Sequence, residues 1–320
     1  MISHPFLQGI TMSKVIFLNI PALGHINPTL GVVRELVKKG ERVTYYASQQ
    51  YEDKLESAGA DFRDYGGYFE FDRKKMTESP LRFGLYLLGL TLQLMENGFI
   101  EEVQRQSPGY IIHDQVCVWG KLISSILRIP AVCSITTFAF HKKFRWDYAA
   151  INRFRLIYSF GMRELFEYVR LFRVLQCKYG LRSPFLVDLF SNFEGLNIVY
   201  TSSYFQPYGD LFNERFRFVG PCIELREDCY SRVELEAHGD RRLIYISLGT
   251  VFNENPSFYS TCFQAFESSP YGIILVIGEN ISEHELPQVP ANFIIRRWVP
   301  QLEVLKRADL FITHGGANSV

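Results

Sequence analysis

Short apolar runs rich in β-branched residues alternate along this chain with longer segments in which apolar residues recur at helical spacing. Such alternation is typical of an α/β protein whose parallel sheet is covered by helices on both faces. The predicted strands of a first unit are 15–20, 42–47, 61–65, 110–114, 131–135, 196–200 and 216–219. Those of a second unit are 243–248, 272–277, 293–297 and 310–313, with a helix at 257–268. The pattern therefore predicts two α/β units in succession.

The polarity of the connecting segments predicts where these units begin and end. Residues 1–12 are expected to be a disordered lead-in, followed by a first domain over 13–220. The polar stretch 221–240 suits an interdomain linker, and a second domain covers 241–320. A helix follows the first strand through Leu36 and ends at Gly40.

Two long helical segments, 80–106 and 142–178, interrupt the alternation in the first domain. The second mixes Arg with Phe, Tyr and Trp, a composition that also occurs in helices that contact membranes or RNA. With balanced charge overall, helices that pack on the sheet and wall one side of a cleft are favoured.

Composition narrows the function classes. Lys plus Arg equals Asp plus Glu at 34 each, which makes nucleic acid and anionic membrane surfaces poor partners. Six Cys without a CxxC pair indicate reduced thiols in the cytoplasm, with neither disulfides nor a zinc site. No apolar run reaches the roughly 18 residues of a membrane span, and no signal peptide or obligate protein partner is evident. The 15% aromatic content fits either a large core or a pocket for a flat, apolar ligand.

The first candidate catalytic residues lie beyond the carboxyl ends of the strands, where ligands bind in a parallel sheet. His25 follows the first strand and Asp114 ends the fourth, so the carboxylate can approach the imidazole at the switch point. Such a carboxylate fixes the histidine tautomer and leaves the other ring nitrogen to take a proton. Two interpretations without a catalytic role stay open: His25 can be a solvated loop histidine, and Asp114 can cap the next helix. His113 points to the opposite side of the strand and is the weaker candidate.

The second set of candidates suits a nucleotide. Trp298 can stack on a base, and backbone groups near Val299 and Gln301 can contact the edge of that base. A His-Gly-Gly step leaves the last strand toward a helix start, where free N–H groups and the helix dipole favour phosphate. The phosphate-binding candidates are His314, Gly315, Gly316, Asn318, Ser319, Ser247 and Thr250. Two adjacent glycines alone indicate only a tight turn, whereas their combination with the tryptophan and the hydroxyls favours a nucleotide diphosphate.

Several familiar motifs are absent from the sequence. It has no GxGxxG dinucleotide fingerprint and no GxxxxGK[ST] phosphate loop. It also lacks an Asp-x-Asp pair for a Mg²⁺-bound nucleotide sugar and a GxSxG hydrolase elbow. No metal is therefore expected.

The segments 24–28, 247–253, 297–301 and 313–319 resemble the signatures of the UDP-glycosyltransferases, in particular the bacterial macrolide-type subgroup, which adds a sugar to small hydrophobic molecules. The resemblance covers nearly the whole chain. It implies a GT-B-like α/β fold, with two Rossmann-like doubly wound domains facing across a cleft and the second domain incomplete. The aromatic segments 80–106 and 142–178 would form the acceptor pocket, for a macrolide, a flavonoid or another phenol.

The resemblance also implies roles for individual residues. His25 would deprotonate the acceptor hydroxyl, with Asp114 orienting it, while Trp298 would stack on uracil and Gln301 would lie near the base and ribose. The phosphates would be held by His314, Asn318, Ser319 and Thr250. The implied reaction is a direct, inverting and metal-independent displacement that uses a UDP-sugar, with glucose as the expected hexose, and no cofactor.

The sequence departs from the family pattern at its end. In the family the signature continues into a helix with an acidic residue for the ribose, and a later Asp-Gln pair holds the sugar hydroxyls. Because the chain stops at Val320, weak UDP-sugar binding and impaired transfer are expected. The alternative functions are a truncated chain that only binds hydrophobic small molecules, and a hydrolase or epimerase that consumes UDP-sugar without an acceptor.

Overall fold

The computed structural model describes residues 13–141, 143, 161–182, 186–223, 241–251, 253–278, 281–282, 284, 286–316 and 319. Contacts within the chain divide it into two compact units, Met1–Ile223 and Glu224–Val320. Three predicted features fall wholly or partly outside the described residues: the lead-in 1–12, the linker 221–240 from residue 224 onward, and the helical segment 142–178 over most of 142–160.

The first unit is built on a parallel sheet of seven strands. These are β1 Lys14–Leu18, β2 Arg42–Ala47, β3 Asp61–Asp64, β4 Tyr110–Asp114, β5 Ala131–Ile135, β6 Leu196–Val199 and β7 Phe216–Phe218. Their order is β3-β2-β1-β4-β5-β6-β7, and every neighbouring pair is parallel. The order reverses direction between β1 and β4, so the switch point lies between these two strands.

The helices of this unit are α1 Leu23–Ile26, α2 Leu30–Lys38, α3 Glu52–Ser57, α4 Pro80–Glu96, α5 Phe99–Gln106, α6 Val118–Leu127, α7 Met162–Tyr179 and α8 Leu186–Leu189. Short 3₁₀ turns cover Asn27–Thr29, Gln49–Tyr51, Arg73–Thr77 and Gly209–Leu211. The predicted continuous helix after β1 is wrong in detail, because Pro28 lacks an N–H and a 3₁₀ turn separates α1 from α2. The segment 80–106 forms two helices, α4 and α5, which are separated at Gly98, a poor helix residue.

Alternation along β1 explains why both faces of the sheet are covered. Ile16 and Leu18 are buried in one core cluster with side chains of α4, α5, α6 and α7. Val15 and Phe17 are buried in a second cluster with side chains of α2 and α3. Since successive strand residues point to opposite faces, the apolar run in β1 supplies both cores at once.

The second unit has a four-stranded parallel sheet in the order β10-β9-β8-β11. Its elements are β8 Leu243–Ser247, α9 Pro256–Phe266, β9 Gly272–Val276, β10 Phe293–Arg296, α10 Gln301–Leu305 and β11 Leu310–Thr313. Ile244 and Ile246 pack with Phe263 of α9, while Tyr245 packs in another cluster with Val304 of α10. This unit is therefore also covered on both faces, and the predicted α/β class with parallel sheets is confirmed.

A close contact between α6 and β4 gives a stability prediction. A Cβ placed on Gly120 would lie 2.4 Å from the Cβ of His113. Replacing a helical Gly by Ala normally adds about 0.5–1 kcal/mol, but overpacking a core costs about 1–3 kcal/mol. We expect Gly120→Ala to lower the free energy of unfolding by roughly 1–2 kcal/mol in urea denaturation.

Gly89→Ala is the matched control, because Gly89 lies inside α4 and its added Cβ would meet nothing within 4 Å. This variant should gain about 0.5–1 kcal/mol. If both variants shifted stability in the same direction, crowding against His113 would not be the deciding term.

Candidate active site

The switch point of the first unit brings His25 and Asp114 into contact. His25 lies in α1, directly after β1, and Asp114 is the last residue of the neighbouring strand β4. His25 Nδ1 is 2.7 Å from Asp114 Oδ2, and the side chains are 9% and 0% exposed. A buried carboxylate at this distance holds the imidazole in one orientation and leaves Nε2 as the nitrogen that can accept a proton.

Thr136 joins this pair and was not among the residues singled out from the sequence. Its Oγ1 is 2.7 Å from His25 Nδ1 and donates to Asp114 Oδ2 over 3.1 Å. The other carboxylate oxygen, Oδ1, accepts the N–H of Val116 at 2.9 Å. Both oxygens of Asp114 are thus engaged. The available signal was position, since Thr136 directly follows β5, the next strand along the same edge of the sheet.

A buried polar network supports the turn that carries His25. Asn19 Nδ2 donates to the carbonyl oxygen of His25 at 3.0 Å and to the hydroxyl of Tyr45 at 2.6 Å. Thr29 Oγ1 lies 2.8 Å from the same Tyr45 hydroxyl. Burial raises the pKa of Tyr45 well above its ordinary value, so the phenol stays neutral. β1 ends at Leu18 rather than at residue 20, and Asn19 begins this network.

His113, the weaker candidate, takes no part in the pair. Its Nε2 lies 3.1 Å from Glu194 Oε1, and the same oxygen lies 2.8 Å from Lys121 Nζ. The side chain of His113 is fully buried. It alternates with Asp114 along β4, which accounts for its separation from His25.

In the second unit, the phosphate candidates gather after two neighbouring strands. Ser247 ends β8 and pairs in register with Thr313, which ends β11. An added Cβ on Gly249 would lie 2.5 Å from His314 Cε1, and one on Gly316 would lie 2.3 Å from His314 Nε2. The ring of His314 therefore packs closely against two glycines from different loops, and a side chain at either position would displace it.

The remaining phosphate candidates are placed as follows. The exposed imidazole of His314 and the half-buried Thr250 lie in the loops after β11 and β8 respectively. The N–H of Ser319 donates to the carbonyl oxygen of Gly316 at 2.8 Å. Asn318 lies outside the described residues.

The base candidates follow β10, at the other edge of this four-stranded sheet. Trp298 is half-buried, Val299 is buried at 7% exposure, and Gln301 is the first residue of α10. Two strands, β9 and β8, separate β10 from β11. With about 4.8 Å between neighbouring strands, the two groups are roughly 14 Å apart along the sheet edge. This spacing suits an extended ligand with an aromatic end and an anionic end.

The described residues hold neither a metal cluster nor a membrane-spanning helix. Among them, no group of three or more His, Cys, Asp or Glu side chains is arranged to hold a metal ion. Within the same part of the chain, no helix is long and apolar enough to cross a membrane.

Comparison with known proteins identifies the class. Residues 220–320 match the family model described as UDP-glucoronosyl and UDP-glucosyl transferase. The chain is 34% identical to the UDP-glucosyltransferase YojK of Bacillus subtilis, over 96% of this chain and 76% of that protein. It is 26% identical to the oleandomycin glycosyltransferase of Streptomyces antibioticus, over 96% of this chain and 71% of the relative.

A solved glycosyltransferase structure is also similar to this chain. The glycosyltransferase of kitacinnamycin matches with a TM-score of 0.76 and 26% identity, over 96% of this chain and 76% of that one. The fold is therefore of the GT-B-like class, built from Rossmann-like α/β units, as the resemblance implied. The chain belongs to the UDP-glycosyltransferase family and is an enzyme of that family, similar to members of the macrolide-type subgroup.

Proposed function

We propose that this enzyme transfers a hexose, expected to be glucose, from a UDP-sugar to a hydroxyl of a small hydrophobic acceptor, with inversion and without a metal. The observation that carries the proposal is the buried contact of 2.7 Å between His25 and Asp114. The proposed acceptors are a macrolide, a flavonoid or another phenol, and the names of the relatives, which include an oleandomycin glycosyltransferase, support the macrolide.

In the proposed reaction His25 acts as the general base. Its Nδ1 is occupied by Asp114 and Thr136, so Nε2 takes the proton of the acceptor hydroxyl. The acceptor oxygen then forms a bond to the anomeric carbon as the bond from that carbon to the UDP oxygen breaks, and UDP leaves with the electron pair. The buried Asp114 carboxylate stabilises the imidazolium that forms. A single displacement inverts the anomeric centre.

The second unit is proposed to bind the nucleotide. Trp298 would stack on uracil, with Val299 and Gln301 at the edge of the base. Stabilisation of the leaving diphosphate is assigned to hydrogen-bond donors around the His-Gly-Gly step, namely His314, the backbone at Gly316, Asn318 and Ser319, together with Ser247 and Thr250. Preorganised donors of this kind stabilise charge that develops in a transition state, which is the reason that a metal is not required.

We also propose that the domains divide as 13–220 for the acceptor and 241–320 for the nucleotide sugar, joined by 221–240. The cytoplasm is the proposed location. The described cysteines Cys117, Cys133, Cys177, Cys222 and Cys262 are free thiols, which fits a reducing compartment.

The test is an assay of this chain with UDP-glucose and either a flavonoid or a macrolide. We expect an acceptor product heavier by one hexose, with the β configuration by NMR and an unchanged rate in EDTA. An α product would refute inversion, and loss of activity in EDTA would refute metal independence. UDP release without an acceptor would indicate a hydrolase instead, and conversion of the donor into an isomeric UDP-sugar would indicate an epimerase. Acceptor binding without any turnover would indicate a binding protein.

Thr136 provides a finer prediction for the same mechanism. Thr136→Val keeps the shape of the side chain but removes the hydroxyl that donates to Asp114. A hydrogen bond to a charged group contributes about 1.5–3 kcal/mol, so we expect kcat to fall about tenfold. KM for the acceptor should change little, because the Thr136 hydroxyl contacts His25 and Asp114 and not the acceptor. Initial rates measured by liquid chromatography check this.

Thr136→Ser is the control, since it retains the hydroxyl and loses only a methyl group. It should keep most of the wild-type kcat. Equal losses in the Val and Ser variants would show that packing of the methyl group, and not the hydrogen bond, is what matters at this position.

A further inference from the structure

A partly buried charged cluster lies beside Asp114 and has no role in the proposed reaction. It consists of His113 on β4, Lys121 on α6 and Glu194 in the segment before β6. His113 Nε2 and Lys121 Nζ lie 3.1 Å and 2.8 Å from the same oxygen, Glu194 Oε1. The side chain of His113 is 0% exposed and that of Glu194 is 15% exposed. Two basic side chains therefore share one carboxylate, and of these His113 lies out of solvent while Lys121 is 34% exposed.

The hydrogen bonds of His113 define its protonation. Its Nδ1 lies 3.1 Å from the carbonyl oxygen of Asp114, while Nε2 faces the carboxylate of Glu194. A carbonyl oxygen and an ionised carboxylate can only accept hydrogen bonds. Both ring nitrogens must then donate, and a ring with two N–H groups is an imidazolium.

Glu194 is in its ionised form. Burial on its own would raise the pKa of this carboxyl group, but the hydrogen bonds from His113 and Lys121 outweigh burial and hold the pKa below its ordinary value. The carboxyl group therefore has no proton to donate to His113 Nε2.

The other groups around the ring supply no competing negative charge. Cys133 is the register neighbour of His113 on β5, and burial raises the pKa of its thiol well above the ordinary value, so it stays neutral. Arg215 donates to the carbonyl oxygen of Glu194 at 2.6 Å. The carboxylate of Asp114 is directed to His25 and Val116. Within the described part of the chain, Glu194 is the carboxylate that contacts the ring.

We infer that His113 is held as an imidazolium and acts as a positioning residue for Asp114, a role that rests on the function proposed above. The carbonyl oxygen of Asp114 accepts from His113 and from the N–H of Cys117 at 3.0 Å. Its Oδ1 accepts the N–H of Val116. His113 thus fixes the turn that carries the carboxylate and ties it to Glu194. Loss of the positive charge would weaken these hydrogen bonds and let the Asp114 carboxylate move.

Nitrogen NMR of the histidine rings in the whole chain tests the charge directly. The spectrum of His113→Gln identifies the His113 signals among the seven histidines. We expect both ring nitrogens of His113 to carry protons at neutral pH in the wild type. Glu194→Gln removes the anion and leaves Lys121 beside the ring, so one of the two protons should be lost. A singly protonated ring in the wild type, or a ring unchanged by Glu194→Gln, would overturn the inference.

Kinetics test the positioning role. Glu194→Gln should lower kcat about tenfold, because small displacements of catalytic groups are costly, while KM for acceptor and donor stays constant. Glu194→Asp retains the charge and should recover most of the rate and both ring protons. Glu35→Gln is the matched control, since Glu35 on α2 forms an exposed ion pair with Lys38 at 3.4 Å and lies outside the segments assigned to the acceptor pocket. It should change neither measurement.

The kinetic outcomes separate the two proposals. Wild-type kcat in Glu194→Gln would refute the positioning role. A wild-type chain with no transferase activity would refute the proposed function and, with it, the positioning role of His113. The NMR signals of the ring nitrogens would still decide the charge of His113.

Discussion

Replacement of His25 by Ala is expected to lower kcat for sugar transfer by about 10²–10⁴-fold, the usual contribution of a positioned general base. The affinities for UDP and for the acceptor should remain unchanged, because the imidazole acts on the proton and supplies little of either binding surface. Initial rates with UDP-glucose and a flavonoid measure the loss. Isothermal titration with UDP and with the acceptor measures retained binding.

His284→Ala is the matched control, because His284 is exposed and belongs to the second unit. It should have the wild-type rate. Asp114→Asn is expected to lower kcat to a similar extent as His25→Ala, since an amide in place of the carboxylate fails to hold the required tautomer. Wild-type turnover by His25→Ala would reject His25 as the base, even with the contact to Asp114 intact.

The second large effect is expected from Gly249→Ala, which should raise the dissociation constant of UDP about tenfold or more. The added Cβ would lie 2.5 Å from His314 Cε1, so either the ring or the loop after β8 must move. The φ of +76° at Gly249 adds a separate loss of folding stability, about 1–2 kcal/mol for any residue with a Cβ. A loss of 1.4 kcal/mol in binding is about tenfold in affinity. Titration calorimetry with UDP gives the measurement.

Gly40→Ala separates backbone strain from crowding. Gly40 has a φ of +87°, and an added Cβ there would meet nothing within 4 Å. This control should lose stability as Gly249→Ala does, while binding UDP like the wild type. If Gly249→Ala also bound UDP normally, the position of His314 would be irrelevant to the nucleotide.

The alternation of apolar runs predicted the order and type of the elements well, because the strands are buried on both faces and thus read as continuous apolar segments. β4 and β5 have the predicted bounds. The break inside the predicted helix after β1 was missed. At Pro28 the apolar spacing continues through the break, so periodicity alone gives no sign of it, although proline disfavours a helix interior.

The contact between His25 and Asp114 was predicted from a rule about sheets and not from spacing. These residues are 89 positions apart in the sequence. Only the expectation that β1 and β4 are neighbours at the switch point joined them. The grouping of Trp298, Ser247 and His314 likewise used the rule that parallel strands end at one edge, together with a family resemblance.

The sequence by itself determined the α/β class, the strand ends at which polar side chains collect, and the family. These properties depend on local pattern, because the spacing of apolar residues and the identity of the residue after each strand can be read from short stretches of sequence. Tertiary structure alone decided that Thr136 shares the hydrogen bonds of the His25–Asp114 pair, across 111 positions. It alone decided that His113 meets Glu194, 81 positions away. Such contacts arise from strand order and register, which bring residues distant in sequence within hydrogen-bond distance. The periodicity of the sequence does not reveal them.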